Sequence, residues 1–359
     1  MSSTLKSVIA RYIRPDVQSM RGYAVQPSAG MVKLDAMENP FRLPEDLRRE
    51  LGARLGEVAI NRYPGERIDD LRAALARYVG LPEGFGLILG NGSDELITLL
   101  SLACAMPGAA VLAPVPGFVM YDMSARLQGL QFVGVALTAD FELDEAAMLA
   151  AIHRHQPAII YIAYPNNPTA NLFDDAVIEK IVEAAPGLVV IDEAYQPFAS
   201  RSYMDRVTRH ENVLILRTLS KFGLAGIRLG YLLGPQALIA EIDKVRPPYN
   251  VSVLNAEAAL FALEHHDEFA RQAAVLRRER ARLIAALLAL PGVRPYPSEA
   301  NMVLARVPDA AALFEALKQR KVLVKNISKQ HPLLANCLRL TVGTPDENDL
   351  MIDALKAMP

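Results

Sequence analysis

Cysteine is nearly missing from this 359-residue sequence, with Cys104 and Cys337 the only two. One conceivable pair is not a disulfide framework, and no C-x-x-C spacing points to a metal site. A reducing, cytoplasmic setting is the expectation. Charge of one sign is also lacking. The net charge is −2, which gives no global attraction to nucleic acid or anionic lipid. No stretch approaches the roughly 18 uninterrupted apolar residues that a membrane span needs. Residues Met1 to Val17 lack the apolar core of a signal peptide, so a soluble intracellular protein is expected. Internal repeats and low-complexity segments are absent as well.

What is present is apolar mass. Hydrophobic residues make up 52% of the chain and charged residues 22%, enough for a large core in a chain long enough for two domains. Short apolar runs alternate with helical patterns, the mark of an α/β sheet. The runs are Gly86–Leu89, Ala110–Pro114, Phe132–Leu137, Ile159–Ala163, Leu188–Ile191, Val213–Arg217 and Gly230–Leu233. Several are apolar throughout, as strands covered on both faces are. Ser93 reads as the cap of a helix through Leu96, Leu99 and Leu100. Further helices are expected from Asp174 to Pro186 and from Glu66 to Gly80. Beyond Pro248 the texture changes. Long helical patterns run from Ser252 to Leu290 with a break near His265–Asp267. Strands then follow around Met302–Arg306, Val322–Lys325 and Leu338–Val342, with helices near Ala310–Gln319 and Glu347–Met358. That reads as a smaller α+β domain, with an extended N-terminal segment packing on it or on a neighbouring subunit.

In an open parallel sheet, ligands bind beyond the carboxyl ends of the strands. Five strand ends here deliver polar or aromatic groups: Gly90-Asn91-Gly92-Ser93-Asp94-Glu95, Pro116-Gly117-Phe118, Tyr164-Pro165-Asn166-Asn167-Pro168-Thr169, Asp192-Glu193-Ala194-Tyr195 and Thr218-Leu219-Ser220-Lys221. A helix N-terminus behind a glycine turn is a phosphate cradle, to which Ser220 and Arg228 add a hydroxyl and a guanidinium. Phe118 offers a face to a planar ring, Asp192 a carboxylate to a basic ring nitrogen, Asn167 and Tyr195 partners to a ring hydroxyl, and Lys221 an amine. Each feature alone has an ordinary reading: a plain turn, a cap, a proline-stiffened loop, a surface lysine, a core phenylalanine. Their joint order fits one ligand, the phosphorylated aromatic aldehyde pyridoxal 5′-phosphate (PLP).

Asn167-Pro168-Thr169, Asp192-Glu193-Ala194-Tyr195, Ser220-Lys221 and Arg228 together resemble the fold-type I PLP enzymes of the aspartate aminotransferase superfamily. Asn61-Arg62-Tyr63-Pro64-Gly65, Arg217-Thr218-Leu219-Ser220-Lys221 and Leu338-Arg339-Leu340-Thr341-Val342-Gly343-Thr344 narrow the likeness to the histidinol-phosphate aminotransferases, from about Gly22 to the C-terminus. The resemblance implies an α/β fold with a mostly parallel seven-stranded sheet between helices, plus a smaller α+β domain. Residues 1–45 would form an N-terminal arm and small-domain segment, 46–250 the large PLP-binding domain, and 251–359 an interdomain helix and small C-terminal domain. It implies that Lys221 holds the cofactor as a Schiff base and then moves protons, that Asp192 pairs with the ring nitrogen, and that Asn167 and Tyr195 hold its hydroxyl. Gly92, Ser93, Asp94, Ser220 and Arg228 would bind the phosphate, joined by Tyr63 of a neighbouring subunit in a homodimer. Arg339, Lys325, Tyr23 and Asn39 fall at substrate-binding positions, for an amino donor and a 2-oxo acid.

Five residues depart from the family pattern. Phe118 replaces the usual tyrosine, and Asp35 and Met37 replace asparagines. Ala170 replaces the glycine after Asn-Pro-Thr, so that turn is expected not to need positive φ. Lys325 stands where many relatives carry a second arginine, which places substrate identity in question rather than cofactor chemistry. Other readings on this scaffold are an aromatic aminotransferase, a phospho-amino-acid decarboxylase, or a non-catalytic regulator. Against the regulator, the chain carries no DNA-binding appendage.

Overall fold

The computed structural model describes residues 3–20, 22 and 26–356. Residues 1–30 and 31–359 are two compact units. The first carries helices Ser3–Tyr12 and Pro15–Ser19. The segment is therefore not extended: Leu5, Val8, Ile9 and Tyr12 fall at helical spacing. Gln18 ties the two helices by donating to the carbonyls of Ile9 and Ile13.

In the second unit the strands, in chain order, are β1 (Val32–Lys33), β2 (Phe85–Gly90), β3 (Ala110–Val115), β4 (Gln131–Ala136), β5 (Ile159–Ala163), β6 (Leu188–Asp192), β7 (Val213–Thr218), β8 (Gly230–Pro235), β9 (Arg294–Pro295), β10 (Met302–Arg306), β11 (Val322–Leu323), β12 (Lys325–Asn326) and β13 (Cys337–Thr341). Strands β2 to β8 form one seven-stranded sheet in the order β2-β8-β7-β6-β5-β3-β4. Only β8 runs against the rest, pairing antiparallel with β2 and β7. Every residue of β5 and β7 is buried. Alternation explains this, because successive side chains leave on opposite faces. Ile160, Ile162, Val189, Ile191 and Ile215 join one core cluster, while Ile159, Tyr161, Val190, Leu214 and Leu216 join another.

A third core surrounds the four-stranded antiparallel sheet β12-β13-β10-β9, against which helices His266–Leu288 and Ala310–Gln319 pack, with helix Pro345–Lys356 packed on those two helices. The long helical stretch does break at His265, and Ser252 caps its first half, Val253–Glu264, by accepting from the Asn255 N–H. The run Val322–Lys325 is not one strand. It changes partner at buried Val324, pairing first with β1 and then with β13, which ties Lys33 and the residues after it to the small sheet.

Candidate active site

The strand ends of β2, β3, β5, β6 and β7 open into one cavity of about 380 Å³. One corner of the cavity is shaped by backbone. Helix Gly92–Ala103 begins at Gly92, whose φ is +77°, with Asn91 at the cap position. Ser93 is therefore inside the first turn and is not the cap. Behind the turn, Glu95 reaches back to accept from the Asn91 N–H at 2.7 Å and from Asn250 Nδ2 at 2.7 Å. Asn91 Nδ2 in turn donates to the Asn250 carbonyl at 2.6 Å, so the turn is held from behind. Arg228, itself at φ +49°, closes the corner by donating to Ser220 Oγ and to Asp94 Oδ2, each at 3.2 Å. A Cβ on Gly92 would sit 2.7 Å from Arg228 Nη2, and one on Gly230 would sit 2.7 Å from the Gly92 C and Ser93 N atoms. A full-length helix N-terminus, a guanidinium and a hydroxyl make a corner that suits a dianion.

Asp192 lies at the floor, at the last position of β6, and is 4% exposed. Its Oδ2 accepts from Tyr121 OH at 2.7 Å and its Oδ1 from the Ala194 N–H at 3.0 Å. Burial pushes this carboxyl up to about 6, against the opposing pull of the Tyr121 and Ala194 hydrogen bonds. Among the described residues no Lys, Arg or His forms an ion pair with it. A buried carboxylate with donors but no cation fits a protonated ring nitrogen, which is the test the site had to pass to hold PLP.

Lys221 enters from the turn after β7. Gly223, at φ +139°, lets that turn fold tightly, and Phe222 stacks on Phe269 at 4.6 Å to anchor it. Lys221 Nζ donates to the Ala36 carbonyl at 3.1 Å and lies 5.8 Å from the Tyr195 ring centroid. Burial, and then the neighbouring Arg339 charge, bring its amine down to about 8. Phe118 and Asn167 line the same cavity as Asp192, Tyr195 and Lys221. Asn167 Oδ1 accepts from Arg339 Nη1 at 2.9 Å, and Arg339 Nη2 donates to the Asp35 carbonyl at 2.9 Å.

The loop that carries Asn167 corrects one expectation. Ala170 does adopt positive φ, +65°, although it has a Cβ. The Ala170 N–H donates to the Asn166 carbonyl, and Asn166, Thr169 and Asn171 are linked side chain to side chain, so the closed turn imposes the angle. Alanine there bears a strain that glycine would not.

Other residues singled out from the sequence lie farther out. Lys325 on β12 stands directly opposite Arg339 in the register with β13. Asn39 turns away from the cavity, donating to Gln272 Oε1 at 2.9 Å while its own oxygen accepts from the Phe41 N–H. Tyr63 is 78% exposed and stacks on Tyr249 at 4.5 Å, outside the cavity of its own chain. Tyr23 lies outside the described residues. Sequence reading missed Tyr121 and the Ala36 carbonyl. Tyr121 follows Phe118 by three residues, the spacing that stacks side chains on one helix face, but nothing in the sequence aims it at Asp192.

A family model for aminotransferases of class I and II matches residues 29–355. The histidinol-phosphate aminotransferase of Methylibium petroleiphilum is 74% identical over 98% of this chain and 95% of its own length. That of Polaromonas naphthalenivorans is 68% identical over 99% of this chain and 98% of its own. Among solved structures, the histidinol-phosphate aminotransferase of Sinorhizobium meliloti in complex with pyridoxal-5′-phosphate superposes with a TM-score of 0.85 at 25% identity, covering 96% of each chain. The sequence, the fold and the geometry of the cavity agree with these likenesses, and the chain belongs to the class I and II aminotransferase family and, within it, to the histidinol-phosphate aminotransferases.

Proposed function

We propose that this chain is a PLP-dependent aminotransferase that passes the amino group of L-histidinol phosphate to 2-oxoglutarate, yielding imidazole acetol phosphate and glutamate in histidine biosynthesis. The observation that carries the reading is the cavity itself, which brings Lys221, Asp192 and the Gly92–Arg228–Ser220 corner to one rim of the sheet. When bound there, PLP supplies an aldehyde for the substrate amine and an electron-withdrawing ring that stabilises a carbanion at the substrate Cα. Asp192 provides the fixed negative charge that keeps the ring nitrogen protonated. Lys221 Nζ, with its amine brought down to about 8, has a usable neutral fraction near neutral pH and takes the proton from the substrate Cα as general base. Phe118, Asn167 and Tyr195 line the same cavity, where Phe118 would wall the planar ring and Asn167 and Tyr195 would hold its hydroxyl.

Arg339 and Lys325 are the proposed anion contacts for the substrate phosphate and for the carboxylates of glutamate. Two cations placed directly opposite on paired strands repel each other, which an anionic ligand relieves. A homodimer with shared sites is part of the proposal, since Tyr63 projects away from its own cavity. The two free thiols, Cys104 and Cys337, support a reducing cytoplasmic compartment. Among the described residues, no helix is long and apolar enough to cross a membrane.

The test compares kcat/KM for L-histidinol phosphate with the values for phenylalanine, tyrosine and threonine phosphate. A preference for histidinol phosphate supports the proposal. A preference for the aromatic amino acids, or release of carbon dioxide from threonine phosphate, would move the enzyme to another reaction. Arg339→Ala is expected to lower kcat/KM for histidinol phosphate by about 100-fold or more, the loss of a charge-assisted contact to a desolvated anion.

A further inference from the structure

Tyr121 has no place in the sequence motifs, yet it makes the shorter of the two hydrogen bonds to Asp192. It sits one turn into helix Val119–Leu127, the helix that Phe118 opens, and is 2% exposed. Two neighbours fix its ring. Tyr161 of β5 stacks flat against it, with centroids 4.3 Å apart and planes 4° apart. Phe118 meets it edge-on at 5.6 Å and 86°. The phenol therefore has one orientation, and its hydroxyl points at Asp192 Oδ2.

The surroundings of Asp192 make that donor important. The charged and titratable groups that act on it are Asp94 of helix Gly92–Ala103, the adjacent Glu193, and the buried phenols of Tyr121, Tyr161 and Tyr195. Both carboxylates oppose its ionisation, and burial opposes it more. The Ala194 N–H comes from the backbone turn and is present whatever side chains surround it. Tyr121 is the side-chain donor to this carboxylate among the described residues. Burial also holds the Tyr121 phenol well above its ordinary range, so the proton stays on Tyr121 and the tyrosine acts as donor at every working pH. A protonated Asp192 would have no charge to offer a cationic ring nitrogen.

We infer that Tyr121 is a positioning residue whose phenol holds Asp192 ionised and aimed into the cavity, and so keeps the ring nitrogen of the bound cofactor protonated. The inference rests on the PLP reading of the cavity. Because Phe118 and Tyr121 share one helix and touch, this residue also fixes the spacing between the cavity wall and the carboxylate.

Tyr121→Phe keeps the ring and its stack and removes only the hydroxyl. In the cofactor-free protein, carbon NMR of labelled aspartate carboxyls follows the titration of Asp192, with Asp192→Asn identifying its resonance. The midpoint is expected to rise by roughly one pH unit in Tyr121→Phe, the size of a lost charge-assisted hydrogen bond. With PLP and substrate, kcat should fall about tenfold while KM changes less than about threefold, because the contact serves the reacting ring rather than substrate binding. An unmoved midpoint overturns the inference, and so does a moved midpoint with unchanged kcat. If Tyr121→Phe does not fold, 3-fluorotyrosine placed at position 121 keeps the shape and donates more strongly. The midpoint should then fall, and an unchanged one is equally decisive against the idea. Borohydride labelling of Lys221 in the wild type tests the PLP reading separately. Its failure removes the cofactor half of the inference, whereas the titration of the cofactor-free protein judges the Tyr121–Asp192 contact by itself.

Discussion

Lys221 and Asp192 are held in the cofactor-free chain in charge states that cost stability, and the costs have opposite pH signatures. The Lys221 amine lies at about 8 in the folded chain against an ordinary 10.5, so the folded state disfavours its protonated form. The penalty is fully present below about pH 8 and fades as pH rises towards 10.5, where the unfolded chain also loses the proton. Asp192 lies at about 6 against 3.8, so its penalty is absent below 3.8, grows as pH rises from 3.8 to about 6 and is fully present above that. Two outcomes follow at pH 7. Lys221→Met should abolish transamination yet stabilise the cofactor-free protein by about 2 kcal/mol, a gain that disappears above pH 10.5. Asp192→Asn should lower kcat by about 100-fold while the cofactor-free protein becomes no less stable, since a neutral amide replaces a buried anion. Denaturant melts of the cofactor-free variants at several pH values, beside kcat, check both. A Lys221→Met protein less stable than wild type at pH 7 would contradict the burial argument.

At the scale of elements, the proposed phosphate corner depends on two backbones coming close together. Gly230 begins β8, and any Cβ there would meet backbone atoms of Gly92 and Ser93, which cannot swing aside as a side-chain end can. Gly230→Ala is therefore expected to weaken PLP binding by about 10- to 100-fold and to destabilise the fold by about 1–3 kcal/mol, as overpacking does. Absorbance titration with PLP and thermal melts measure the two effects. The contrasting case is Gly52, exposed within helix Glu45–Gly56, where a Cβ meets nothing within 4 Å. Gly52→Ala should raise stability by about 0.5–1 kcal/mol through helix propensity alone and leave PLP affinity untouched. The same level of organisation accounts for Ala170. Its chain neighbours make a closed, buried turn, and that turn dictates a positive φ that the residue type alone argues against.

For the whole molecule, the proposal of shared sites turns on the Tyr63–Tyr249 pair. Both rings are largely exposed, 78% and 57%, and they stack on each other at the surface. Pro64 restrains Tyr63 towards extended backbone, which suits a side chain that projects outward. In a two-fold dimer the contact is reciprocal, giving two composite sites. Coexpressing Lys221→Ala subunits with Tyr63→Ala subunits places both lesions in one site of each hybrid and none in the other. Activity should rise above that of either parent, towards about a quarter of wild type for random pairing. Hybrids that form without any gain, with Tyr63→Ala impaired alone, would place the role of Tyr63 within its own subunit.

The sequence by itself determined the strands and the chemistry at their ends. Apolar runs such as Ile159–Ala163 and Val213–Leu216 fit strands of a sheet covered on both faces, and the polar residues that follow each run land on its carboxyl rim. That is why the convergence of Asp192, Asn167, Ser220 and Lys221 on one cavity is legible in the sequence. Helix boundaries at Glu66, Gly80, Asp174 and Ser252 were legible for a similar reason, since caps and glycine stops act over three or four residues. The tertiary structure decided everything that depends on residues far apart in the chain. The placing of the helix start at Gly92, with Ser93 inside the first turn, involves Asn250, 159 residues from Asn91, which accepts from Asn91 Nδ2 and donates to Glu95. The switch of partner at Val324, the turning of Asn39 towards Gln272, and the grip of Tyr121 on Asp192 are likewise invisible locally. Local propensity is a short-range quantity, whereas the state of a buried polar group is fixed by whichever donor or acceptor the fold brings within 3 Å of it.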